Sequence, residues 1–545
     1  MGQLDHNKLQ GQFTRRQVIG ASVAIPVVGA VLAACSDDDK KTTGTSGSGA
    51  TTTAKAGDTT VPAGPGGGTM RMASTKPASP LDPIAMVDLG TYNVIAQSFE
   101  YLTGPDGDDI GPMLATEWTP NDDSTEWVFK LREGVKWHDG TDFTADDVVA
   151  TLDRIATAGD GLGGSIVAGD AVATDANTVT VTLASPNASL PYLVSMLNPQ
   201  SAITPKDYVA GTTLDAQPNG TGPWKLDSYD PNTGITWVRN DDWWGGTPSL
   251  ESVDMQFFSD LAAQVTAMSG GSVDGIQQFS VVGGDVLIND DTFNVVEVNA
   301  TTHRQIWMGL DEGQFTDKRV RQAFALGIDR DELIQTLFGG KATIANDHVI
   351  FDNYAFYDPN AVTQRVRDTD AAKALLADAG FPDGISATLN AVDLQEIPQL
   401  AELLQIQLAD AGFNLTLNVE SDATFYGTQW CVTYPCAGSA ELGIVDYGHR
   451  PTPDVFLLKA FKSGGDWNSS QYASPELDAA ILEYQSSGEL DARTVACSKI
   501  EKIMWEDVPA AIAYRYNYLG GYSKSFTGVE YTALGHTLLG KAAAA

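Results

Sequence analysis

The stretch WVFKLREGVKWHDG, residues 127–140, says more about the fold than any other part of this chain. Trp127, Phe129 and Leu131 occupy every second position, a period typical of a β-strand with one buried face. Asp139-Gly140 is typical of a turn rather than of a reactive site, although a histidine precedes it. The stretch therefore predicts an amphipathic strand that runs into a tight turn.

The residues that follow predict a helix. Thr144 is a favourable N-cap residue, and Asp147, three positions on, supplies the carboxylate of a capping box. An apolar face recurs at helical spacing and comprises Val148, Val149, Leu152 and Ile155. A second start of the same kind lies at Asp329 and Glu332, before a helix that we expect to stop at Gly339-Gly340.

Farther along, a short motif occurs twice. The sequence ADAGF stands at 377–381 and again at 409–413, each time after an amphipathic helical pattern. The glycine can adopt the left-handed conformation that ends a helix, and the phenylalanine can fold back on the last turn. Strand-like runs follow at 386–390 and 415–419. Repeated helix–strand units predict a layered α/β lobe.

The N-terminus carries an export signal. Arg15-Arg16 precede an uncharged run, residues 18–34, which is shorter than the ~20 residues of a membrane span. Val18-Ile19 after the arginine pair resembles a twin-arginine signal, and an ordinary secretory signal is the alternative. LAAC at 32–35 resembles a lipobox, which implies cleavage after residue 34 and a lipid on Cys35. Residues 35–68, rich in Ser, Thr, Gly and Asp, predict a disordered tether.

Composition limits the possible partners. The chain has 545 residues, too many for one core, and a formal net charge of −37. Such a charge argues against nucleic acid or anionic lipid as a partner. Cys431 and Cys436 form either a disulfide or two free thiols, and Cys497 is expected to be a buried, inert thiol.

Several sequence blocks, taken in order, resemble the extracytoplasmic solute-binding proteins of family 5, the peptide and nickel group that serves ABC importers. Besides residues 127–140, the blocks are FTADDV (143–148), GTGPWKL (220–226), RNDDWWGG (239–246), RVRQAF (319–324) and residues 373–384. They extend over nearly all of the chain after Gly68.

This resemblance implies an α/β fold of the two-lobe periplasmic-binding-protein type (class II, the large peptide-binding form), with a hinge and an extra subdomain in lobe 1. The implied boundaries are 69–305 plus 506–545 for lobe 1, about 100–215 for the subdomain, and 306–505 for lobe 2. The chain is expected to cross between lobes near 306–309 and 509–516.

The resemblance also implies a function. We expect a lipid-anchored, extracytoplasmic and monomeric substrate-binding component that captures a small solute by hinge closure and delivers it to a membrane permease. An oligopeptide or dipeptide is the expected ligand, and a metal chelate, an opine or an oligosaccharide is the alternative. An exported hydrolase or a cofactor-binding lipoprotein is the other class considered. The sequence contains no H-E-x-x-H, G-x-S-x-G, S-x-x-K or phosphate-loop motif, so we expect no enzyme activity, metal or cofactor.

The main candidate site is the polar loop within residues 441–457. By resemblance, Asp446 receives the amino terminus of a bound peptide, since a carboxylate accepts charge-assisted hydrogen bonds from ammonium. Arg450 is a candidate for a ligand carboxylate. Alternatively, Asp446 caps the loop and Arg450 pairs with Asp446 or Asp454. Tyr447 and His449 belong to the same loop, although His449-Arg450 departs from the family pattern.

Five further residues are weaker candidates, and for each a structural role is equally open. Gln277, Gln278 and Phe279 stand where the family places the cleft edge of lobe 1. Thr75 lies in the first loop, and Trp430 could stack on a ligand side chain.

Overall fold

The structure is a computed structural model, and it describes residues 67–86, 88–107, 109–158, 165–433 and 436–545. The expected signal at 1–34, Cys35 and nearly all of the tether lie outside these residues. None of the described helices is both long and apolar enough to cross a membrane.

The regular elements alternate along the chain. The strands are β1 (Thr69–Thr75), β2 (Thr103–Asp106), β3 (Asp109–Pro112), β4 (Ala115–Pro120), β5 (Glu126–Leu131), β6 (Ala171–Asp175), β7 (Thr178–Thr182), β8 (Trp224–Asp230), β9 (Gly234–Arg239), β10 (Ser252–Phe258), β11 (Gly275–Phe279), β12 (Phe293–Val298), β13 (His303–Met308), β14 (Ala342–Ile344), β15 (Ile385–Val392), β16 (Phe413–Glu420), β17 (Leu442–Tyr447), β18 (Ala510–Ala511), β19 (Tyr514–Tyr516), β20 (Tyr518–Ser523), β21 (Phe526–Thr527), β22 (Glu530–Tyr531), β23 (Thr537–Leu538) and β24 (Ala543–Ala544).

The helices are α1 (Leu89–Ser98), α2 (Ala145–Ala158), α3 (Leu190–Leu193), α4 (Leu261–Ser269), α5 (Val281–Ile288), α6 (Lys318–Leu326), α7 (Arg330–Phe338), α8 (Thr369–Asp378), α9 (Ile397–Ala409), α10 (Asp422–Thr428), α11 (Pro475–Ser486) and α12 (Leu490–Asp507). Two short 3-10 turns, Pro199–Ser201 and Gln314–Thr316, and one π-helical turn, Phe456–Phe461, complete the set.

The local predictions are confirmed. The strand predicted from Trp127, Phe129 and Leu131 is β5, and all three side chains are buried. The capping box forms, because the Thr144 backbone N–H donates to Asp147 Oδ2 at 2.8 Å. Helix α7 starts at the Asp329 cap and stops at Gly339, whose φ of 55° is left-handed.

The repeated ADAGF motif also has its predicted outcome. Helices α8 and α9 end just before Gly380 and Gly412, which both have a φ of 96°. The strands that follow, β15 and β16, pair in parallel along their whole length, from Ile385 opposite Phe413 to Val392 opposite Glu420. The repeat is therefore two adjacent helix–strand units of one sheet.

Two seven-stranded sheets organise the molecule. The first has the strand order β12-β20-β11-β1-β10-β9-β8. The second has the order β14-β19-β13-β17-β15-β16, with β18 paired to β13. A four-stranded sheet, β4-β5-β7-β6, packs against α2 around a separate apolar cluster drawn from residues between 102 and 203.

The chain leaves the first sheet after Val298, enters the second at His303, and returns between Tyr516 and Tyr518. The expected boundaries at 305/306 and 505/506 are therefore displaced. They assign the start of β13, together with β18 and β19, to lobe 1, whereas these strands hydrogen-bond in the second sheet. His303, Arg304 and Gln305 are polar, but all three are buried in β13. Their polarity explains why the sequence did not indicate a strand here. From here we use lobe 1 for residues 67–302 and 517–545, and lobe 2 for residues 303–516.

The tryptophan pair of RNDDWWGG packs inward and holds a buried carboxylate. The indole N–H groups of Trp243 and Trp244 donate to the two oxygens of Glu100 at 3.0 and 2.8 Å. Glu100 is 3% exposed. Burial raises the pKa of its carboxyl from 4.5 to about 7, although the two indole hydrogen bonds oppose this shift.

Glu100 should make the stability of the protein depend on pH. Because the native carboxyl holds its proton up to about pH 7 and the unfolded one releases it near pH 4.5, the free energy of unfolding should fall as pH rises between these values. The full effect is about 3 kcal/mol. In Glu100→Gln the slope should be weaker than in the wild type by this amount, as measured by denaturant unfolding at pH 4.5, 6 and 8, and the slope that remains belongs to other buried groups such as Glu501, whose pKa burial raises to about 8.

The exposed Glu117 on β4 provides the matched control. Glu117→Gln should keep the wild-type slope. Parallel pH curves for the wild type and Glu100→Gln would show that Glu100 does not titrate in this interval.

Candidate functional site

The carboxyl ends of the parallel strands of the two sheets meet at the connections between the lobes. In lobe 1, β1 is parallel to β10 and β11, and β12 ends at Val298 beside the first residue of β20. In lobe 2, β15 is parallel to β16 and β17, and β17 ends beside the first residue of β13. Loops that follow parallel strands are the usual ligand sites of open α/β sheets. The facing edges are therefore the candidate cleft.

Asp446 lies at this edge, next to the last residue of β17. Its carboxylate forms an ion pair with the guanidinium of Arg304, the residue opposite it on β13. The Asp446 side chain is 31% exposed and that of Arg304 is 1% exposed. A buried cation thus holds a partly exposed carboxylate at this edge.

Arg304 contacts a second acid, Glu396, in the loop after β15. Its Nε and Nη2 donate to the two Glu396 oxygens at 2.8 and 2.9 Å, a bidentate pair. The guanidinium also lies 4.7 Å from the centre of the Tyr516 ring. Burial alone would lower the pKa of Arg304, but Glu396, Tyr516 and Asp446 together raise it well above its ordinary value. Arg304 is therefore a permanent cation.

Gln395 is another residue at this edge that the sequence did not reveal, besides Arg304 and Glu396. Its Oε1 accepts from Arg304 Nη2 at 2.7 Å, and the residue is exposed. Its φ of 48° lies in the left-handed region, which costs a non-glycine residue free energy and is enriched at functional sites. No local sequence motif predicts a role for Gln395, because its partner Arg304 stands 91 positions away.

His449 is buried at the first connection between the lobes. Its Nδ1 accepts from the backbone N–H of Thr301 at 3.1 Å, and the residue is 6% exposed. Burial, with the charges of Arg450 and Arg515, lowers the pKa of His449 to about 3. The ring is therefore neutral and bonds to the first connection between the lobes, and a ligand contact of His449 stays a prediction.

Arg450 contacts the same connection with its backbone. Its N–H donates to Thr301 Oγ1 at 2.8 Å, and its carbonyl accepts from Tyr354 OH at 3.1 Å. The side chain is half-buried, and Nη1 donates to the His449 carbonyl at 2.8 Å. The loop 448–450 thus clasps Thr301 while the Arg450 guanidinium stays next to the cleft edge.

Tyr447 and Trp430 belong to the core of lobe 2. The Tyr447 ring stacks on His303 at 5.6 Å and packs against Phe456. Trp430 precedes β17 and packs edge-on against Tyr426, at the end of that strand opposite Asp446. A ligand contact of Trp430 stays a prediction.

Two of the lobe 1 candidates have structural roles. Gln277 is 1% exposed, accepts from Ser74 Oγ, and donates to the carbonyls of Leu89 and Gly535. Phe279 is buried in an apolar cluster beneath α4 and α5. The half-buried Gln278 and the exposed Thr75 remain at the carboxyl ends of β11 and β1.

The cysteines lie away from the cleft. Cys431 and Cys436 are joined by a disulfide in the loop that precedes β17, and Cys497 is a buried free thiol on α12. Within the described residues, no group of three or more histidine, cysteine or acidic side chains could hold a metal ion.

Relatives and solved structures give the fold. A putative ABC transporter peptide-binding protein of Brucella ovis is 27% identical over 455 residues, which cover 74% of this chain and 83% of the relative. The dipeptide-binding protein of Escherichia coli is 24% identical over 442 residues, covering 74% and 80%.

Two structures illustrate the shared architecture. The periplasmic binding protein DppA from Helicobacter pylori, in complex with the peptide STSA, has a TM-score of 0.71 at 21% identity, covering 88% of this chain and 98% of that chain. NikA from Brucella suis, in complex with Fe(III)-EDTA, has a TM-score of 0.77 at 21% identity, covering 88% and 100%. The expected two-lobe α/β fold is confirmed.

Residues 109–469 match the family model described as bacterial extracellular solute-binding proteins, family 5 Middle. This match spans more than half of the chain, and the relatives are binding proteins of transporters, so the hydrolase alternative is excluded. The chain therefore belongs to family 5 of the bacterial extracellular solute-binding proteins, and it is a binding protein rather than an enzyme.

Proposed function

We propose that this protein is the substrate-binding component of an ABC importer, which captures a small peptide by closing its two lobes and delivers it to a membrane permease. The names of the relatives, peptide-binding and dipeptide-binding, support a peptide over the other ligand classes. Closure is stabilised only by a ligand that contacts both lobes. We assign these contacts to Gln278 and Thr75 from lobe 1 and to Asp446 from lobe 2.

The observation that carries this proposal is the cluster of Asp446, Arg304 and Glu396. One guanidinium lies between two carboxylates, so these three side chains together carry one negative charge. A partly exposed site of this charge favours a cation, and the amino terminus of a peptide is a cation with three N–H donors. Asp446 is the member of the cluster that reaches the cleft.

The other end of the ligand is assigned to Arg450, four residues from Asp446 in the same loop. A guanidinium can bind a carboxylate bidentately, which suits the carboxyl terminus of a short peptide. The amide of Gln395 accepts from Arg304 Nη2 and suits a peptide carbonyl or amide group.

The proposed cellular location of the protein rests on its N-terminal sequence. We propose that Cys35, outside the described residues, carries a lipid that anchors the protein to the outer face of the cytoplasmic membrane. A tether of about 33 residues has a root-mean-square reach of roughly 30 Å. This reach would let a monomer meet its permease without being fixed to it.

A thermal-shift screen should identify the ligand class. We expect short peptides with free termini to raise the melting temperature, because a ligand at about 100 times its Kd adds about 2.7 kcal/mol to the free energy of unfolding. Opines, oligosaccharides and metal chelates serve as comparison classes. A shift with one of these and none with peptides would contradict the peptide assignment.

Asp446→Asn tests the site directly. The amide keeps an oxygen acceptor for Arg304 but removes the charge, so the Kd of a peptide with a free amino terminus should rise about 10- to 100-fold. The same peptide acetylated at its amino terminus should bind both proteins equally. Calorimetric titration measures both.

The matched control is Asp393→Asn, since Asp393 is an exposed carboxylate that follows β15 at the same edge. This variant should bind like the wild type. Equal losses for free and acetylated peptides in Asp446→Asn would mean that Asp446 serves only the ion pair with Arg304.

Membrane attachment is tested with Cys35→Ala. The variant lacks the thiol that would receive the lipid, so it should move from the membrane fraction to the soluble extracytoplasmic fraction. Cys497→Ala, which removes a buried thiol, should leave fractionation unchanged. A Cys35→Ala protein that stays with the membrane would contradict the anchor.

A further inference from the structure

A polar network crosses from lobe 1 to lobe 2 beside the candidate site. Ser189 Oγ, from the loop before α3, accepts from Arg493 Nη2 at 2.8 Å and donates to Asp454 Oδ2 at 2.8 Å. Arg493 lies on α12, and Asp454 lies in the loop after β17, eight residues beyond Asp446. All three residues are buried, with exposures of 0%, 6% and 2%.

The lobe 2 part of the network stays connected without Ser189. Tyr484 OH donates to Asp454 Oδ2 at 2.9 Å and accepts from Arg493 Nη2. The Arg493 guanidinium also lies 4.4 Å from the centre of the Tyr484 ring. The two charged groups therefore keep a shared partner when lobe 1 moves away, and water can replace the hydroxyl of Ser189.

The lobe 1 part is held rigidly. The Ser189 backbone N–H donates to Asn187 Oδ1 at 2.8 Å, and the Asn187 carbonyl accepts from the indole of Trp127 at 3.0 Å. Trp127 belongs to β5, so the loop is fixed to the four-stranded sheet. Next to Ser189, the Ala188 N–H donates across the interface to the Gln485 carbonyl at 3.1 Å.

We infer that Ser189 is a latch for lobe closure, which joins Asp454 and Arg493 only when the lobes are closed. The inference rests on the proposed function, because it requires lobes that open and close. One hydroxyl bonded to two charged groups and one backbone hydrogen bond form a small contact, so it biases closure and still allows opening. Since Asp454 stands eight residues beyond Asp446 in the segment that follows β17, the latch also restrains the segment next to Asp446.

The test uses the full exported chain without ligand. Spin labels at Glu133→Cys in lobe 1 and Glu402→Cys in lobe 2, both exposed positions, report the distribution of distances between the lobes. Hydrogen exchange of the Ala188 amide reports opening of the contact itself. In Ser189→Ala we expect the ratio of closed to open molecules to fall about tenfold, equivalent to about 1.4 kcal/mol, with Ala188 exchanging about tenfold faster.

Ser201→Ala is the matched control, because Ser201 is equally buried and its hydroxyl bonds only the Ser195 and Asn198 carbonyls, within lobe 1. It should leave both measurements unchanged.

Two results would overturn the latch. One is a Ser189→Ala protein with wild-type distances and wild-type exchange at Ala188. The other is a lower melting temperature with an unchanged distance distribution, which would make the contact a static part of the fold. Failure of the proposed function has a different result, namely that no peptide changes the distance between the labels in any variant.

Discussion

The guanidinium of Arg304 is the constraint on which the candidate site depends. It is buried, it binds Glu396 bidentately, and it pairs with Asp446 across the β13–β17 register. Three segments that are far apart in sequence are therefore joined through the Arg304 guanidinium. Removing a buried cation would leave Glu396 buried and unpaired, at a cost of about 3–5 kcal/mol. The position of the cleft carboxylate and the integrity of the lobe 2 edge thus depend on the same side chain.

The second constraint is the clasp around Thr301. The Thr301 backbone N–H and hydroxyl contact the loop that carries His449 and Arg450. The Arg515 guanidinium donates to the carbonyl of the neighbouring Ala300 at 3.1 Å. The connection between the lobes is therefore bonded to the ligand loop rather than left as a free linker. A rotation at this connection must move residues 448–450, so lobe movement and the geometry of the cleft are coupled physically.

Local features of the fold could be predicted from the sequence because their causes lie within a few residues. The alternation in β5, the capping box at Thr144 and the glycine stops at Gly380 and Gly412 are all short-range effects. The site was predicted only in part. Asp446 stands at the cleft edge, but His449 and Gln277 proved to be bonded inside the protein, to groups that no local pattern reveals. Arg304 was missed because its partners stand 92 and 142 positions away.

The strand order of the first sheet has a consequence for how the polypeptide is made. Strand β20 lies between β11 and β12, although it is synthesised more than two hundred residues after them. Until residue 523 leaves the ribosome, these two strands present unsatisfied backbone edges, which are sites of unwanted pairing. Lobe 2 shares this property, because β19 lies between β14 and β13 and is also synthesised near the end of the chain. Both sheets therefore reach their final strand order only when residues 510–523 have been synthesised.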